Sequence, residues 1–170
     1  DDVGMTLAVW NDKLASAGAE LARRRRELLT AMLPYVRQVY ENVSGADDVV
    51  ELTYRSTWET GELATAPDAV RDDELRRGVT LVGPHRDDLD VQLNGLPGRT
   101  HASQGEQRSL ALALKLAGHL TVTESVGRAP VLLLDDVFSE LDDRRSDALV
   151  DSLPAGQVVL TTASAVPPSV

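Results

Sequence analysis

The chain has 170 residues, a formal net charge of -10, 42% hydrophobic residues and no cysteine. It is long enough to bury a core and has an ordinary globular composition. Its acidity excludes a surface that binds nucleic acid all over, though not a local basic patch, and the lack of cysteine excludes disulfides and thiolate metal sites.

No apolar run approaches the roughly 20 residues of a bilayer span, so no membrane partner is expected and a cytoplasmic location is. Lys13 and Lys115 are the only lysines, so the basic charge is almost all arginine. The first residue is Asp rather than Met, and the expectation is a piece of a longer chain.

Leu7, Trp10, Leu14, Ala17, Leu21 and Leu28 recur at three- and four-residue spacing and predict an amphipathic helix with a narrow seam. Arg23, Arg24, Arg25 and Arg26 form a basic run inside it. Such a run is either a solvated face or a compact footprint for the phosphates of DNA. Leu28, Met32, Val36 and Tyr40 continue an apolar face, Pro34 is expected to kink or end the helix near Leu33, and Ser44-Gly45 closes the segment.

Val50, Leu52 and Tyr54 alternate with Glu51, Thr53 and Arg55, the pattern of a half-buried strand. Residues 57–67 read as a loop and residues 68–77 as a short charged helix stopped by Gly78. Val79, Leu81 and Val82 predict a brief strand, followed by a GPHRDD loop over residues 83–88. Leu89, Val91 and Leu93 alternate again. Asn94-Gly95 then signals a hairpin turn, with the returning strand expected near residues 98–101.

In SQGEQR, residues 103–108, Ser103 and Glu106 have the spacing of a capping box. The helix is predicted over residues 104–124, with Leu110, Ala113, Leu114, Ala117 and Leu120 on its apolar face. Free N–H groups, a serine hydroxyl and the gap at Gly105 make this end either an ordinary capped helix or an anion site.

The chain is organised around VLLLDDVFSELD, residues 131–142. Its apolar run follows Pro130 and predicts a strand buried on both faces, as in a parallel sheet. Such a strand delivers Asp135 and Asp136 to the carboxyl edge, where open α/β folds bind ligands. In nucleotide hydrolases the first of two such acids holds Mg²⁺ and the second orients or deprotonates water. The bland alternative is a solvated acidic turn. A helix is predicted over residues 141–153, then a buried strand through Val158, Val159 and Leu160 ending in Thr161-Thr162. A right-handed βαβ unit follows, setting Asp135, Asp136 and Thr161 along one edge. The tail, residues 163–170, is expected to fray.

GPHRDDL, SQGEQRSLALALKLA and LLLDDVFSELDDRR, in this order and at this spacing, resemble the ABC-type ATPase heads of chromosome-maintenance proteins. Within that group the chain resembles the RecF family of DNA replication and repair proteins along essentially its whole length. The resemblance implies an α/β fold: a partial ABC-type (P-loop NTPase-like) ATPase head over residues 46–170, with a helical arm over residues 1–45. It implies that Ser103, Gln104, Gly105 and Glu106 are a signature motif that contacts the γ-phosphate of ATP bound on a second subunit. Asp135 matches the Walker B acid that serves Mg²⁺, and Asp136 the catalytic acid beside it. Ser139, Glu140, Leu141 and Asp142 match the D-loop at the dimer interface. Thr161 or Thr162 stands at the switch position, where transporters keep a histidine. Asp136 is shorter than the glutamate of many transporters, which implies slow hydrolysis.

The function so implied is ATP-dependent binding of single-stranded or gapped DNA in recombinational repair and the SOS response. The cofactors would be ATP and Mg²⁺, and the partners DNA, a second subunit in an ATP-dependent homodimer, and other recombination-mediator proteins. Arg23, Arg24, Arg25, Arg26 and Arg86 are candidate DNA contacts.

One element of the pattern is absent. Neither Lys13 in VWNDKLAS nor Lys115 in LALALKLAG stands in a GxxxxGK[ST] loop. The chain reads as the C-terminal portion of such a protein, inactive as an ATPase alone. Two other classes stay open. One is a non-catalytic interaction module that completes a partner's ATP site. The other is a metal hydrolase on His85, Asp87, Asp88 and Asp90, although alternation in an extended segment splits these between two sides. The bland reading of GPHRDD is a structural loop whose arginine and acids pair locally.

Overall fold

Helix α1 spans Asp2–Ser44 in the computed structural model, which describes residues 2–56, 58 and 73–163. The expected break near Leu33 does not occur. Pro34 lies inside the helix and withholds one donor, a cost of about 3 kcal/mol in a helix interior. Beyond it Val36, Val39, Tyr40 and Val43 are all buried, and each such side chain returns about 1.5–3 kcal/mol, so the helix carries on. It closes at Gly45, whose φ is +66 and whose N–H reaches the Glu41 carbonyl at 2.8 Å.

The predicted seam of α1 is out of phase with the buried stripe. Trp10 is 61% exposed, Leu21 40% and Leu28 48%, whereas Ala22 is fully buried. Small residues turn inward here because the buried Trp58 packs against Ala22 and Ala15, with Tyr54 and Val82 beside them. A bulky indole needs small partners on the facing helix.

Two compact units form, Asp1–Leu29 with Thr53–Asp90 and Thr30–Leu52 with Val91–Val170. In the first, residues 73–77 are helical and Gly78 ends the turn at φ +64, its N–H reaching the Glu74 carbonyl at 2.7 Å. The loop expected over residues 57–67 and the start of the helix expected at residue 68 lie, Trp58 apart, outside the described residues. The brief strand expected at Val79, Leu81 and Val82 is absent. Side chains take its backbone groups instead: Glu74 accepts from the Leu81 N–H at 2.6 Å, and the Thr80 carbonyl lies 3.0 Å from His85 Nε2.

Strands β1 (Val50–Arg55), β2 (Asp88–Leu93) and β3 (Leu96–Pro97) form a sheet in that order. β1 alternates in burial as its sequence predicts. Asn94 and Gly95 take φ values of 52 and 76, the left-handed pair of a type I′ hairpin. Asn94 also accepts from the Val49 N–H at 2.9 Å and donates to Asp48 at 2.8 Å. The returning strand is shorter and earlier than expected, with Gln92 opposite Pro97 and Leu93 opposite Leu96. Pro97 has no N–H to extend the ladder, and residues Gly98–His101 turn into the short helix α2.

Helix α3 (Gln104–Val126) follows, then β4 (Leu132–Asp135), a 3₁₀ turn (Val137–Glu140), helix α4 (Asp143–Asp151) and β5 (Val158–Thr161). β4 and β5 pair in parallel from Leu132 opposite Val158 to Asp135 opposite Thr161. β4 is not buried on both faces as predicted. Leu132 and Leu134 join a core with Leu112, Leu116 and Leu149, while Leu133 is 71% exposed. The pleat sends alternate side chains to opposite faces, and among the described residues only one face of this sheet is covered.

Candidate functional site

Ser103 caps α3. Its hydroxyl accepts from the Glu106 N–H at 3.3 Å, and the Glu106 carboxylate accepts from the Ser103 N–H at 2.6 Å. Both halves of the predicted capping box are therefore present. The first-turn N–H groups of Gln104 and Gly105 have no partner within the helix ladder, and the positive end of the helix macrodipole lies there. The arrangement can receive an anion.

Gly105 differs from the expectation that its missing side chain admits a ligand. A Cβ built on it points at the Arg145 guanidinium, 3.2 Å from both terminal nitrogens. The gap makes room for an arginine of the same chain.

Asp135 and Asp136 stand where β4 ends, as expected, and the register brings Thr161 beside them. The Thr161 hydroxyl donates to Asp135. The Asp136 N–H donates to the Thr161 carbonyl at 3.0 Å and lies 3.1 Å from the Thr161 hydroxyl. The Asp136 carboxylate accepts from the Ala163 N–H at 3.1 Å. Asp136 is also strained: its φ of 48 is left-handed, which Asp tolerates better than most side chains. This bend breaks the strand and starts the 3₁₀ turn, where Ser139 donates its hydroxyl to the Asp136 carbonyl at 2.9 Å. Thr161 makes contacts to both acids.

Asp142 caps α4, accepting from the Arg145 N–H at 2.9 Å and from the Arg145 guanidinium at 2.5 Å. The backbone bond above all, with the guanidinium adding to it, holds the Asp142 carboxyl below the usual carboxylate range. Two cavities mark this face of the second unit. One, of about 760 Å³, brings Gln104 and Arg108 together with Asp135, Asp136 and Ser139. The other, of about 250 Å³, lies among Gly105, Arg108, Ser139, Asp142 and Arg145. Arg145 and Arg108 were not singled out from sequence. The Asp-x-x-Arg spacing after the SEL turn was the available signal for Arg145, since residues three apart meet on a helix.

The arginine run in the first unit does not present one basic face. Arg23 pairs with Glu20 at 2.8 Å and with Glu27 at 2.5 Å, and Arg24 with Glu20 at 2.6 Å. Arg25 donates to the Pro84 carbonyl at 2.6 Å and to the Tyr54 hydroxyl at 3.2 Å, and Arg26 lies 5.2 Å from the centre of the Tyr54 ring. Consecutive residues are spread around a helix at 3.6 per turn. Arg86 reaches the Thr80 carbonyl at 3.4 Å.

The residues of the metal-hydrolase alternative also go separate ways. Asp87 accepts from Tyr54, Asp90 pairs with Arg55 at 2.6 Å and Asp88 accepts from the Leu89 N–H at 2.8 Å. Among the described residues no three His, Asp or Glu gather as metal donors. No helix among them is long and apolar enough to cross a membrane.

No protein-family model matches the chain. The DNA replication and repair protein RecF of Frankia alni is 45% identical over 93% of this chain and 46% of its own length. That of Geobacter sulfurreducens is 45% identical over 92% and 46%. That of Acidothermus cellulolyticus is 40% identical over 94% and 46%. The chain thus spans about half the length of the curated relatives it matches. Two solved structures of the recombination mediator protein RecF in the RecFOR pathway, as RecF-ATPrS and RecF-ATP, are 30% identical to it with TM-scores of 0.77. They cover 94% and 97% of this chain, which covers 46% of each of theirs. The α/β architecture is that of a partial ABC-type ATPase head with a helical arm. Over the half of RecF's length that it spans, the chain is similar in sequence and in fold to the RecF DNA replication and repair proteins.

Proposed function

We propose that this chain provides the signature, Walker B and D-loop parts of a RecF-type ATPase, with residues 1–45 as arm and 46–170 as head. In this reading Ser103, Gln104, Gly105 and Glu106 meet the γ-phosphate of ATP held by a second subunit. Asp135 serves Mg²⁺, Asp136 acts on the attacking water, Thr161 or Thr162 takes the switch position, and Ser139 and Asp142 lie at the interface between heads. The assembled protein binds single-stranded or gapped DNA under control of ATP, as a homodimer, in the cytoplasm. It acts with other recombination mediators in recombinational repair and the SOS response.

The observation that carries the reading is the edge at the end of β4 and β5. There Asp135 accepts from Thr161, and Asp136 is held in a left-handed bend, in a chain with no GxxxxGK[ST] loop. Asp135 is exposed and offers a hard oxygen beside a hydroxyl. That donor set fits Mg²⁺ held mainly by phosphate oxygens and water rather than by a protein cage. When bound, the ion neutralises charge on the transferring phosphoryl group. The chain's own residues orient the carboxylates and supply backbone N–H groups to an anion.

The experiment is association of this chain with a separately made polypeptide bearing the P-loop half of a RecF relative, with and without ATP and Mg²⁺. ATP-driven association that Ser103→Arg abolishes is the expected result. Association indifferent to both ATP and the substitution overturns the composite-site reading. The missing P-loop would then favour an interaction module instead.

A further inference from the structure

Arg145 is badly placed for an ordinary helix arginine. Its guanidinium packs against Gly105 in the first turn of α3, the positive end of that helix, where a cation is repelled. Its Nε is enclosed and meets no acceptor among the described residues, although a buried guanidinium N–H ordinarily finds one. Among the described residues one ion pair answers its charge, to Asp142 at 2.5 Å, while the Arg145 backbone N–H donates to the same carboxylate at 2.9 Å. A side chain kept in an unfavourable place is held there by its surroundings, and such costs gather at functional positions.

What Arg145 joins gives the reason. One end of its contact is Asp142 in the SELD turn, and the other is Gly105 in the SQGEQR turn. These segments lie about 37 residues apart in sequence, and the Arg145 side chain packs against the first and bonds the second. The cavity of about 250 Å³ at this junction has Gly105, Ser139, Asp142 and Arg145 in its wall. We propose that Arg145 is a positioning residue that locks the D-loop to the signature helix, and that the Cβ space at Gly105 admits this arginine while the backbone N–H groups of the turn are left for the phosphate. The two segments then meet a second head as one rigid face. The arginine's charge also adds to the positive field of the helix end, so that an arriving phosphate relieves a repulsion already present. This rests on the composite-site reading above for its use, though not for its geometry.

The test is a double-substitution cycle with Gly105→Ala and Arg145→Ala, read in two ways. The first is the ATP concentration that half-saturates association with the P-loop polypeptide. The second is the melting temperature of the chain itself. With Arg145 present, Gly105→Ala raises the half-saturating concentration about tenfold; with Arg145→Ala already made, it raises it less than about threefold. Arg145→Lys keeps the cation and the melting temperature but not the planar two-point fork, and its nucleotide response stays weakened. Equal fold-changes from Gly105→Ala in both backgrounds mean that the space at Gly105 does not serve Arg145 and overturn the proposal.

If the unsubstituted chain ignores ATP, the composite-site reading falls by itself. The melting temperatures then decide the clamp. A smaller loss from Gly105→Ala in the Arg145→Ala background supports it, and additive losses overturn it.

Discussion

The Thr161 hydroxyl donates to the Asp135 carboxylate across the β4–β5 register, so the last residues of two parallel strands are tied at the sheet edge. The bond holds the carboxylate while leaving it exposed to solvent. Both residues are exposed or half-exposed, so the tie matters for orientation more than for folding. Thr161→Val, which keeps the shape without the donor, is expected to cost no more than about 1 kcal/mol of stability. ATP turnover of the assembled protein should fall about tenfold, because a positioned carboxylate acts through its geometry. Thr161→Ser should retain most of the activity. Urea unfolding and steady-state turnover check the two halves separately.

The capping box at α3 gives a second expectation. Ser103→Ala removes the acceptor of the Glu106 N–H and should lower stability by about 1 kcal/mol. Ser103→Asp restores a capping oxygen and should recover that loss, but it places a negative charge where a phosphate is proposed to arrive. Stability should therefore return while ATP-driven association does not. Parallel melting and association measurements separate capping from anion binding.

Much of this face was legible in sequence because its determinants are local. The capping box lies within Ser103–Glu106, and the acids end an apolar run, so spacing alone placed Asp135, Asp136 and Thr161 together. What spacing could not supply was the partner of each surface. The α1 seam was misphased because Trp58, distant in sequence, selects Ala15 and Ala22 as its neighbours. The strand expected at residues 79–82 failed because Glu74 and His85 side chains took its backbone groups. Gly105 looked like an opening for ligand because nothing local revealed that Arg145 fills it. Such pairings belong to tertiary structure.

Asp136 joins its proposed chemical role to an uncommon backbone, and the two can be separated by substitution. At φ 48, Asn is tolerated nearly as well as Asp, whereas a β-branched residue costs about 1–2 kcal/mol. Asp136→Asn should melt close to the unsubstituted chain and abolish turnover in the assembled protein. Asp136→Gly should be as stable or more so and equally inactive. Asp136→Val should lose stability, which thermal melting reads directly. Inactivity of Asn and Gly at full stability assigns the loss to the carboxylate rather than to the bend.

Tyr40 sets the alkaline limit of the second unit. It is fully buried, and its hydroxyl donates to Asp48 at 3.2 Å. Burial, with the nearby Asp48 charge adding to it, pushes the phenol up from 10.0 to about 12. The sign follows from the protonated form being favoured in the folded state. Below pH 10 the phenol is neutral folded or unfolded, and its contribution to stability is fully present. Between pH 10 and about 12 the unfolded chain releases the proton more readily, so the contribution is lost as pH rises through the folded value. Tyrosinate absorbance followed against pH should show Tyr40 titrating last, at about 12, since the Glu124 bond to Tyr35 and the burial of Tyr54 raise those phenols too, with loss of helix content by circular dichroism in the same window. Tyr40→Phe should remove the late titration and flatten the stability profile there. It should also cost stability at neutral pH, because Asp48 loses its phenolic donor. A titration step at about 12 that persists in Tyr40→Phe would assign that step elsewhere.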